Sequence, residues 1–348
     1  MDCSGQTGRS RRYLVFVRAG AQSLHPRLIR EDPHRNWDCC VSWCSSARDE
    51  QIAEYSLPRN EQAFNKFDAF REFRQSLDPW PYRYALLLDD DLYLKPGELS
   101  RFFELCDAHQ TYLSQPVLRW STLTPLTALV RNPACLLRRV SFIETTAPCF
   151  SASALADLQH TFMWTCSTWG MDWAWGALLQ GKHPLYAVDA VPMTRTQAEC
   201  GGQAVLDRKL RSLGIDPAEE LQLMRKFFPR FEGARTLAHG HVFRRSIPHS
   251  ARTALLLLFE KLKVIVRLHE RLRNGPGSRK SCSTATASVP IQRIPDPLPQ
   301  ALDGIAGLSV VQDLCNPTLP HSHSASGVQR TMTPAQASTS SRPAPYRR

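Results

Sequence analysis

The sequence contains no apolar run long enough to cross a lipid bilayer. Its longest relevant apolar stretch, residues 254–259, has six residues, whereas a membrane-spanning helix needs roughly 20. The first twelve residues are polar and basic, and they lack the apolar segment of a secretory signal. We therefore expect a soluble protein that stays in the cytoplasm.

Cysteine and histidine pairs at zinc-site spacing are also missing. Cys39, Cys40 and Cys44 form the one tight group among eleven cysteines, and no second pair follows them, which argues against a structural zinc site. Because the number is odd and no export signal is present, we expect the cysteines to be reduced thiols.

Lysine and arginine do not cluster with interleaved aromatic residues, which is the pattern of many nucleic-acid-binding surfaces. The formal net charge is nonetheless +11. A positive charge of this size favours anionic partners such as nucleotides and lipid phosphates. Nucleic acid is therefore not an expected partner.

Aromatic residues almost vanish near the C-terminus. Residues 275–348 hold ten prolines and seventeen serines or threonines but one aromatic residue, Tyr346, and such a composition cannot build a core. We predict a disordered N-terminus at 1–11, a main domain at 12–200, a helical extension at 201–274 and a disordered tail at 275–348. A short amphipathic segment is predicted at 301–314.

Strand and helix patterns alternate in the main domain. Strands are predicted at Tyr13–Arg18, Trp37–Trp43 and Tyr82–Leu88. A phenylalanine-rich helix capped by Asn60 follows the second strand, and a helix containing 99–106 follows the third. This order predicts an α/β fold with a mixed, mostly parallel sheet flanked by helices, and with ligands at the carboxyl ends of strands.

Three consecutive aspartates follow the third predicted strand. Alternate residues of an extended segment point the same way, so Asp89 and Asp91 can face one site while Asp90 turns elsewhere. Grouped carboxylates repel one another unless a cation neutralises them, and oxygen ligands suit Mg2+ or Mn2+. The alternative is a solvated acidic turn.

A tryptophan-rich segment carries a fourth aspartate. Trp169 and Trp173 flank Asp172, and aromatic faces of this kind stack on sugar rings. Asp172 could then take a proton from an acceptor hydroxyl. The alternative is an aromatic core with Asp172 capping a helix. Glu144 is a further candidate, with an exposed glutamate at a strand end as its alternative.

Seven short motifs occur in the order found in one protein family. Over about residues 12–200 the chain resembles the domain of unknown function (DUF) 707 family, whose members are glycosyltransferase-like. The motifs are Arg18–Pro26, Asn36–Asp38, Tyr84–Leu92, Ser114–Pro116, Phe142–Glu144, Trp169–Asp172 and Val188–Pro192.

The resemblance implies a GT-A-like, Rossmann-type fold that binds a nucleotide-diphospho-sugar. Asp89 and Asp91 would hold Mn2+ or Mg2+ on the diphosphate, and Asp172 would be the catalytic base. The residues expected near the nucleotide or its phosphates are Arg18, Ala19, Gly20, Lys66 and Asp90.

One departure from the family pattern concerns the metal. Arg195 stands near the position where the family continues to a histidine, a candidate third metal ligand. Either two carboxylates suffice, or Arg195 itself stabilises the leaving diphosphate. A third alternative is that His239 or His241 reaches the site.

The region 255–272 combines apolar and basic residues at helical spacing and predicts a long basic helix. This helix would pack on the domain or lie on an anionic membrane.

The sequence as a whole predicts a metal-dependent glycosyltransferase that uses a nucleotide-diphospho-sugar donor and a carbohydrate or lipid-linked acceptor. The alternative is a non-catalytic module that binds a membrane or partner protein through the basic helix. We expect a cytoplasmic location, at the inner face of the membrane if the helix binds lipid.

Overall fold

The computed structural model describes residues 11–44, 52–57, 63–120, 126–196, 202–273 and 329–330. Within these ranges, eleven strands form one mixed sheet with helices on its faces. The predicted α/β class and the mixed sheet are therefore confirmed.

The first half of the fold supplies the parallel centre of the sheet. Strands β1 (Tyr13–Ala19), β2 (Trp37–Trp43), β3 (Tyr55–Leu57) and β4 (Tyr84–Leu88) lie side by side in the order β4-β1-β2-β3 and run parallel. The elements between and after them are α1 (His25–Arg30), α2 (Lys66–Gln75), β5 (Leu92–Tyr93) and α3 (Glu98–Ala108). The structure thus adds α1, β3 and β5 to the predicted order.

The second half extends the sheet with antiparallel pairs. Its elements are β6 (Leu113–Leu118), β7 (Cys135–Val140), β8 (Cys149–Ser151), α4 (Ala152–Leu158), α5 (Met171–Leu179) and β9 (Leu185–Arg195). Strand β8 lies between β4 and β6 and runs antiparallel to both, whereas β6 and β9 are parallel. Strand β5 pairs with the end of β9.

The central strands are buried on both faces, because helices cover the sheet on each side. Phe16 of β1 belongs to a core cluster with Phe67 of α2. Val15, its neighbour along the strand, belongs to a second cluster with Phe102 of α3. This alternation leaves the strand ends, rather than the strand faces, accessible to a ligand.

The phenylalanine-rich helix begins later than predicted. Its N-cap is Asn65, whose Oδ1 accepts hydrogen bonds from the backbone nitrogens of Phe67 and Asp68. The expected cap, Asn60, lies outside the described residues. In the described residues, this helix therefore begins at Lys66.

The C-terminal extension is helical, as predicted, but it also completes the domain. It contains α6 (Gly202–Ser212), α7 (Pro217–Phe227), β10 (Val242–Phe243) and α8 (His249–Arg273). Strand β10 pairs with β7, and Phe231 lies in the core beside α5. The extension therefore shares one core with residues 12–200.

Helix α8 is the basic helix predicted from the sequence. Phe259 is buried and its ring meets that of Trp120 at 4.9 Å between centroids. Among the side chains of α8 that are described, four large apolar ones are exposed: Leu257, Leu258, Leu262 and Ile265. Across the described part of the chain, no helix is long and apolar enough to span a membrane.

The two terminal segments were predicted to be disordered. Arg11, assigned to the first of them, bonds to Asp38 and Glu54. Gln329–Arg330 forms β11, which pairs with β3. The remaining tail from 274, including the amphipathic segment 301–314, lies outside the described residues.

The expectation of reduced thiols holds for part of the chain only. Cys166 is in a disulfide bond. Six described cysteines are buried and are not disulfide-bonded: Cys39, Cys40, Cys44, Cys106, Cys135 and Cys149. Cys166 is thus an exception to the expectation of reduced thiols.

Candidate active site

The aspartate triplet lies at the carboxyl end of β4, in the middle of the sheet. The backbone N–H of Asp89 donates to the carbonyl oxygen of Thr146 at 2.9 Å, which fixes the start of the turn. Asp89 and Asp91 are partly exposed, at 32% and 19% of the side chain, whereas Asp90 is buried. Asp90 and Asp91 lie in a turn in which the backbone nitrogen of Leu92 donates to the carbonyl oxygen of Asp89 at 3.4 Å. The turn, rather than the alternation of an extended segment, separates Asp90 from its neighbours.

Asp90 fastens the triplet to the end of β1. Its Oδ2 accepts a hydrogen bond from the backbone nitrogen of Gly20 at 2.8 Å, and its carbonyl oxygen accepts one from Leu24 at 2.9 Å. Burial raises the pKa of Asp90 to about 7, against the opposing effect of the Gly20 bond. Asp90 thus shapes the loop that was predicted to meet the nucleotide.

The loop after β1 holds the other residues expected near the nucleotide. Arg18 donates from Nη2 to the carbonyl oxygen of Ala63 at 2.8 Å. Ala19 is buried, and its carbonyl oxygen accepts from the backbone nitrogen of Cys44 at 3.0 Å. The structure therefore places Arg18, Ala19 and Gly20 at the strand end beside the triplet.

Lys66 projects from the first turn of α2 into the triplet. Its Nζ lies 2.6 Å from Oδ1 of Asp89 and donates to the carbonyl oxygen of Thr146 at 2.7 Å. Burial lowers its pKa, and the charge of Asp89 opposes that effect. Lys66 was expected to meet a phosphate, but here it is an internal counter-ion of Asp89.

Arg195 is a second counter-ion of the triplet. It is the last residue of β9, where it pairs with Leu92 of β5. Its guanidinium lies 3.4 Å from Oδ2 of Asp89 and 3.3 Å from Oδ2 of Asp91. Burial alone would lower the pKa of Arg195, but the nearby carboxylates outweigh this effect and raise it. Lys66 and Arg195 therefore supply part of the positive charge that the sequence led us to expect from a metal.

Three carboxylates face these two cations. Asp89, Asp91 and Glu144 stand against Lys66 and Arg195, and all five interact electrostatically. Burial raises the pKa of Asp91, although Arg195 opposes the shift. A diphosphate at this place would need additional positive charge, because like charges repel strongly at short range.

The residues fit a divalent cation that is completed by phosphate. Among the described residues, no group of three or more His, Cys, Asp or Glu side chains has metal-holding geometry. Mg2+ at phosphate sites, however, usually takes only one or two carboxylates together with phosphate and water. Asp89 and Asp91 supply that pair, and Oδ1 of Asp91 is buried without a hydrogen-bond partner within the described structure.

The alternative in which a histidine completes the metal site has no support among the residues described. Nδ1 of His241 accepts a hydrogen bond from the backbone nitrogen of Arg139 at 3.1 Å, which holds the ring against β7. No metal-holding group that includes His241 or His239 occurs in these parts of the chain. His239 and His241 therefore stay outside the proposed metal site.

Glu144 is not the exposed strand-end glutamate that the sequence left open. Its backbone nitrogen donates to Oε1 of Gln115 at 2.6 Å, and Gln115 is fully buried in β6. Burial raises the pKa of Glu144, and the charge of Arg195 opposes the rise. Oε2 of Glu144 has no hydrogen-bond partner among the described residues. This carboxylate therefore keeps an acceptor available.

Asp172 lies in the first turn of α5 and interacts with Glu144. Burial raises its pKa to about 7, and the negative charge of Glu144 adds to the rise. Gly170, the N-cap of α5, has a φ of 86°. A carboxylate with such a pKa is suited to accept a proton near neutral pH.

The two tryptophans beside Asp172 differ in their surroundings. Trp169 is 51% exposed. Trp173 meets the ring of Phe231 at 4.9 Å and lies under the guanidinium of Arg225 at 5.0 Å. We therefore assign Trp173 to packing and retain Trp169 as the candidate for sugar stacking. The aromatic core weighed as an alternative also exists, since Trp175 is fully buried.

Sequence reasoning missed two residues that position this site. Gln115 accepts a hydrogen bond from the backbone nitrogen of Glu144. The carbonyl oxygen of Thr146 accepts hydrogen bonds from Nζ of Lys66 and from the backbone nitrogen of Asp89. The signals for Gln115 were its place in the Ser114–Pro116 motif and its polar side chain inside the buried strand β6. No local pattern pointed to Thr146, because its contacts come from its backbone carbonyl.

The comparisons with known proteins add low similarities. The sequence matches no protein-family model and no curated protein. GalNAc-T7 in complex with UDP, GalNAc and Mn2+ aligns with a TM-score of 0.38 and 12% identity over 62% of this chain and 54% of that chain. S. aureus TarS 1–349 in complex with UDP-GlcNAc gives 0.36 and 12% over 63% and 72%. TarS 1–349 gives 0.35 and 13% over 77% and 93%.

The alignment thus spans about half of the GalNAc-T7 chain. At these TM-scores the likeness assigns no function.

Proposed function

We propose that this protein is a metal-dependent glycosyltransferase that moves a sugar from a nucleotide-diphospho-sugar to an acceptor hydroxyl. The observation that carries the proposal is the meeting of Asp89, Asp91, Lys66 and Arg195 at the carboxyl end of β4. Strand ends of this kind are where α/β sheets bind nucleotides. The resemblance to the DUF707 family and its GT-A-like fold points to the same function and stays a prediction.

The donor would bind at the ends of β1 and β4. Gly20 and the loop after it would receive the nucleotide, in a shape held by Asp90. Mn2+ or Mg2+ held by Asp89 and Asp91 would supply Lewis-acid stabilisation of the departing diphosphate. Lys66 would keep Asp89 oriented, and Arg195 would donate to diphosphate oxygens, because guanidinium groups bind phosphate through two hydrogen bonds.

The acceptor would bind beside α5. Asp172 would accept the proton of the attacking hydroxyl, with a pKa near the operating pH, and Glu144 would keep that pKa high. The exposed ring of Trp169 would stack on a sugar of a carbohydrate or lipid-linked acceptor.

The test is hydrolysis and transfer of nucleotide-sugars by the double variant Asp89→Asn/Asp91→Asn. Both substitutions keep the side-chain size and remove the charge, so we expect turnover on UDP- or GDP-sugars with Mn2+ to disappear. Glu104→Gln on the exposed face of α3 is the matched control and should keep full activity. Unchanged turnover in the double variant would refute the proposal.

The exposed apolar side chains of α8 favour a second activity, binding to an anionic membrane. Leu257, Leu258, Leu262 and Ile265 are between 46% and 63% exposed on a helix that the sequence makes basic. An apolar face with adjacent cations is the pattern of helices that lie on lipid surfaces. A module that only binds membranes would sediment with phosphatidylserine vesicles, bind nucleotide without Mn2+ and turn over no donor.

The membrane test compares vesicles with and without phosphatidylserine. Leu258→Ser together with Ile265→Ser should abolish sedimentation with the anionic vesicles and leave turnover intact. Sedimentation that the double substitution does not change would refute this contact. A cytoplasmic location stays a prediction.

A further inference from the structure

Arg195 occupies the place where the proposed function puts a cation. One guanidinium reaches both carboxylates, at 3.4 Å from Asp89 and 3.3 Å from Asp91. A divalent ion bound by the same two carboxylates would meet a positive charge at its own site. Arg195 must therefore move before such an ion binds.

Arg195 has the surroundings of a group that can move. Its side chain is 40% exposed, and its contacts with the carboxylates are longer than an ideal charged hydrogen bond. Lys66 is the opposite case, since it is 7% exposed and makes contacts of 2.6 and 2.7 Å. Lys66 is thus a fixed counter-ion and Arg195 an exchangeable one.

A structural ion pair elsewhere in the fold shows what a fixed arginine looks like. Arg138 and Asp189 are both fully buried, with a 3.1 Å contact from Nε and a second contact from Nη2. Arg138 also donates to Thr236 and to the carbonyl oxygen of Val130. Among the described residues, the guanidinium of Arg195 has no comparable hydrogen bond to a neutral hydroxyl or carbonyl group.

We infer that Arg195 is a displaceable counter-ion that couples cation binding to nucleotide-diphosphate binding. Without ligands it neutralises Asp89 and Asp91. When the diphosphate arrives, it offers the guanidinium a new partner and frees both carboxylates for the cation. Each ligand therefore lowers the free-energy cost of binding the other, and by linkage the effect is reciprocal. The inference rests on the proposed function, because it takes the same donor and the same carboxylates.

The experiment measures Mn2+ binding rather than turnover, by the loss of the free Mn2+ electron paramagnetic resonance signal with the full chain. In the wild type, Mn2+ should bind weakly alone and about tenfold more tightly with UDP or GDP, a coupling within the usual range. Arg195→Gln should bind Mn2+ alone more tightly and lose most of the enhancement by nucleotide. Arg27→Gln, which removes an exposed arginine paired with Glu31, is the control and should match the wild type.

A second substitution at the same position controls for an effect of Arg195→Gln on folding. Arg195→Lys keeps a positive charge near the carboxylates, so its Mn2+ affinity without nucleotide should stay close to that of the wild type. If Arg195→Gln binds Mn2+ alone no more tightly than the wild type does, the inference is overturned. If no variant binds Mn2+ even with nucleotide, the proposed metal site fails as well, so the two failures are distinguishable.

Discussion

Replacing Asp172 by asparagine should change stability in a pH-dependent way. The pKa of this carboxyl rises from an ordinary value of 3.8 to about 7 in the folded protein. Between these values the folded state holds a proton that the unfolded state has released, so the free energy of unfolding falls as pH rises. Above pH 7 the group is ionised in both states, and the whole cost of the buried charge is present.

The size of the effect follows from the pKa difference. About three pKa units correspond to about 4 kcal/mol. Asp172 is not fully buried, so solvent screening reduces the figure, and part of the change falls below pH 5. We expect the free energy of unfolding of Asp172→Asn, relative to that of the wild type, to increase by about 2 kcal/mol from pH 5 to pH 8. Asparagine keeps the side-chain oxygen that accepts from the backbone nitrogen of Trp173.

The assay is urea unfolding followed by tryptophan fluorescence at both pH values, with Glu104→Gln as the charge-matched control. The same variant should lose transfer by a factor of roughly 100 or more, as expected for removal of a general base. A stability difference between variant and wild type that is equal at pH 5 and pH 8 would refute the argument that Asp172 is buried with a raised pKa.

Two further predictions concern the backbone at α5 and the cysteines. Gly170→Ala should destabilise more than Gly181→Ala in thermal unfolding: both glycines have φ near 80°, but a Cβ at Gly170 would lie 2.6 Å from Cγ of Met224, whereas nothing lies within 4 Å at Gly181. Equal losses would mean that Met224 yields without cost. Alkylation of the denatured, unreduced protein followed by mass spectrometry should label Cys39, Cys40, Cys44, Cys106, Cys135 and Cys149 and spare Cys166. Cys166 should react after reduction. Labelling of Cys166 without reduction would contradict the disulfide.

The sequence predicted those elements whose pattern is local. Strand β2 has the predicted bounds, and β4 differs by two residues at its start, since runs of buried apolar residues have few alternatives to a strand. The position of Asp89, Asp90 and Asp91 after β4 followed directly from the predicted strand. The burial of Asp90 did not follow from it, because Asp90 and Asp91 form a turn instead of continuing the extended strand. The short elements α1, β3 and β5 escaped prediction because they have too few residues to show a period.

The sequence also determined which residue types were available to a site, but not which of them meet. Lys66 reaches Asp89 because Asn65 caps α2 and turns its first residue towards the end of β4. Arg195 reaches Asp91 because β5 pairs with the end of β9, more than a hundred residues along the chain.

Glu144 likewise joins Asp172 only through the folding of the second half, where Gln115 of β6 fixes its backbone. Side-chain periodicity is a property of neighbouring residues, so it predicts the strand at whose end a carboxylate lies. The charge that faces that carboxylate depends on contacts between distant segments, and these form only when the sheet assembles. The place of the acidic triplet at the end of β4 is therefore predictable from the sequence. Its neutralisation by Lys66 and Arg195 is a consequence of the tertiary structure.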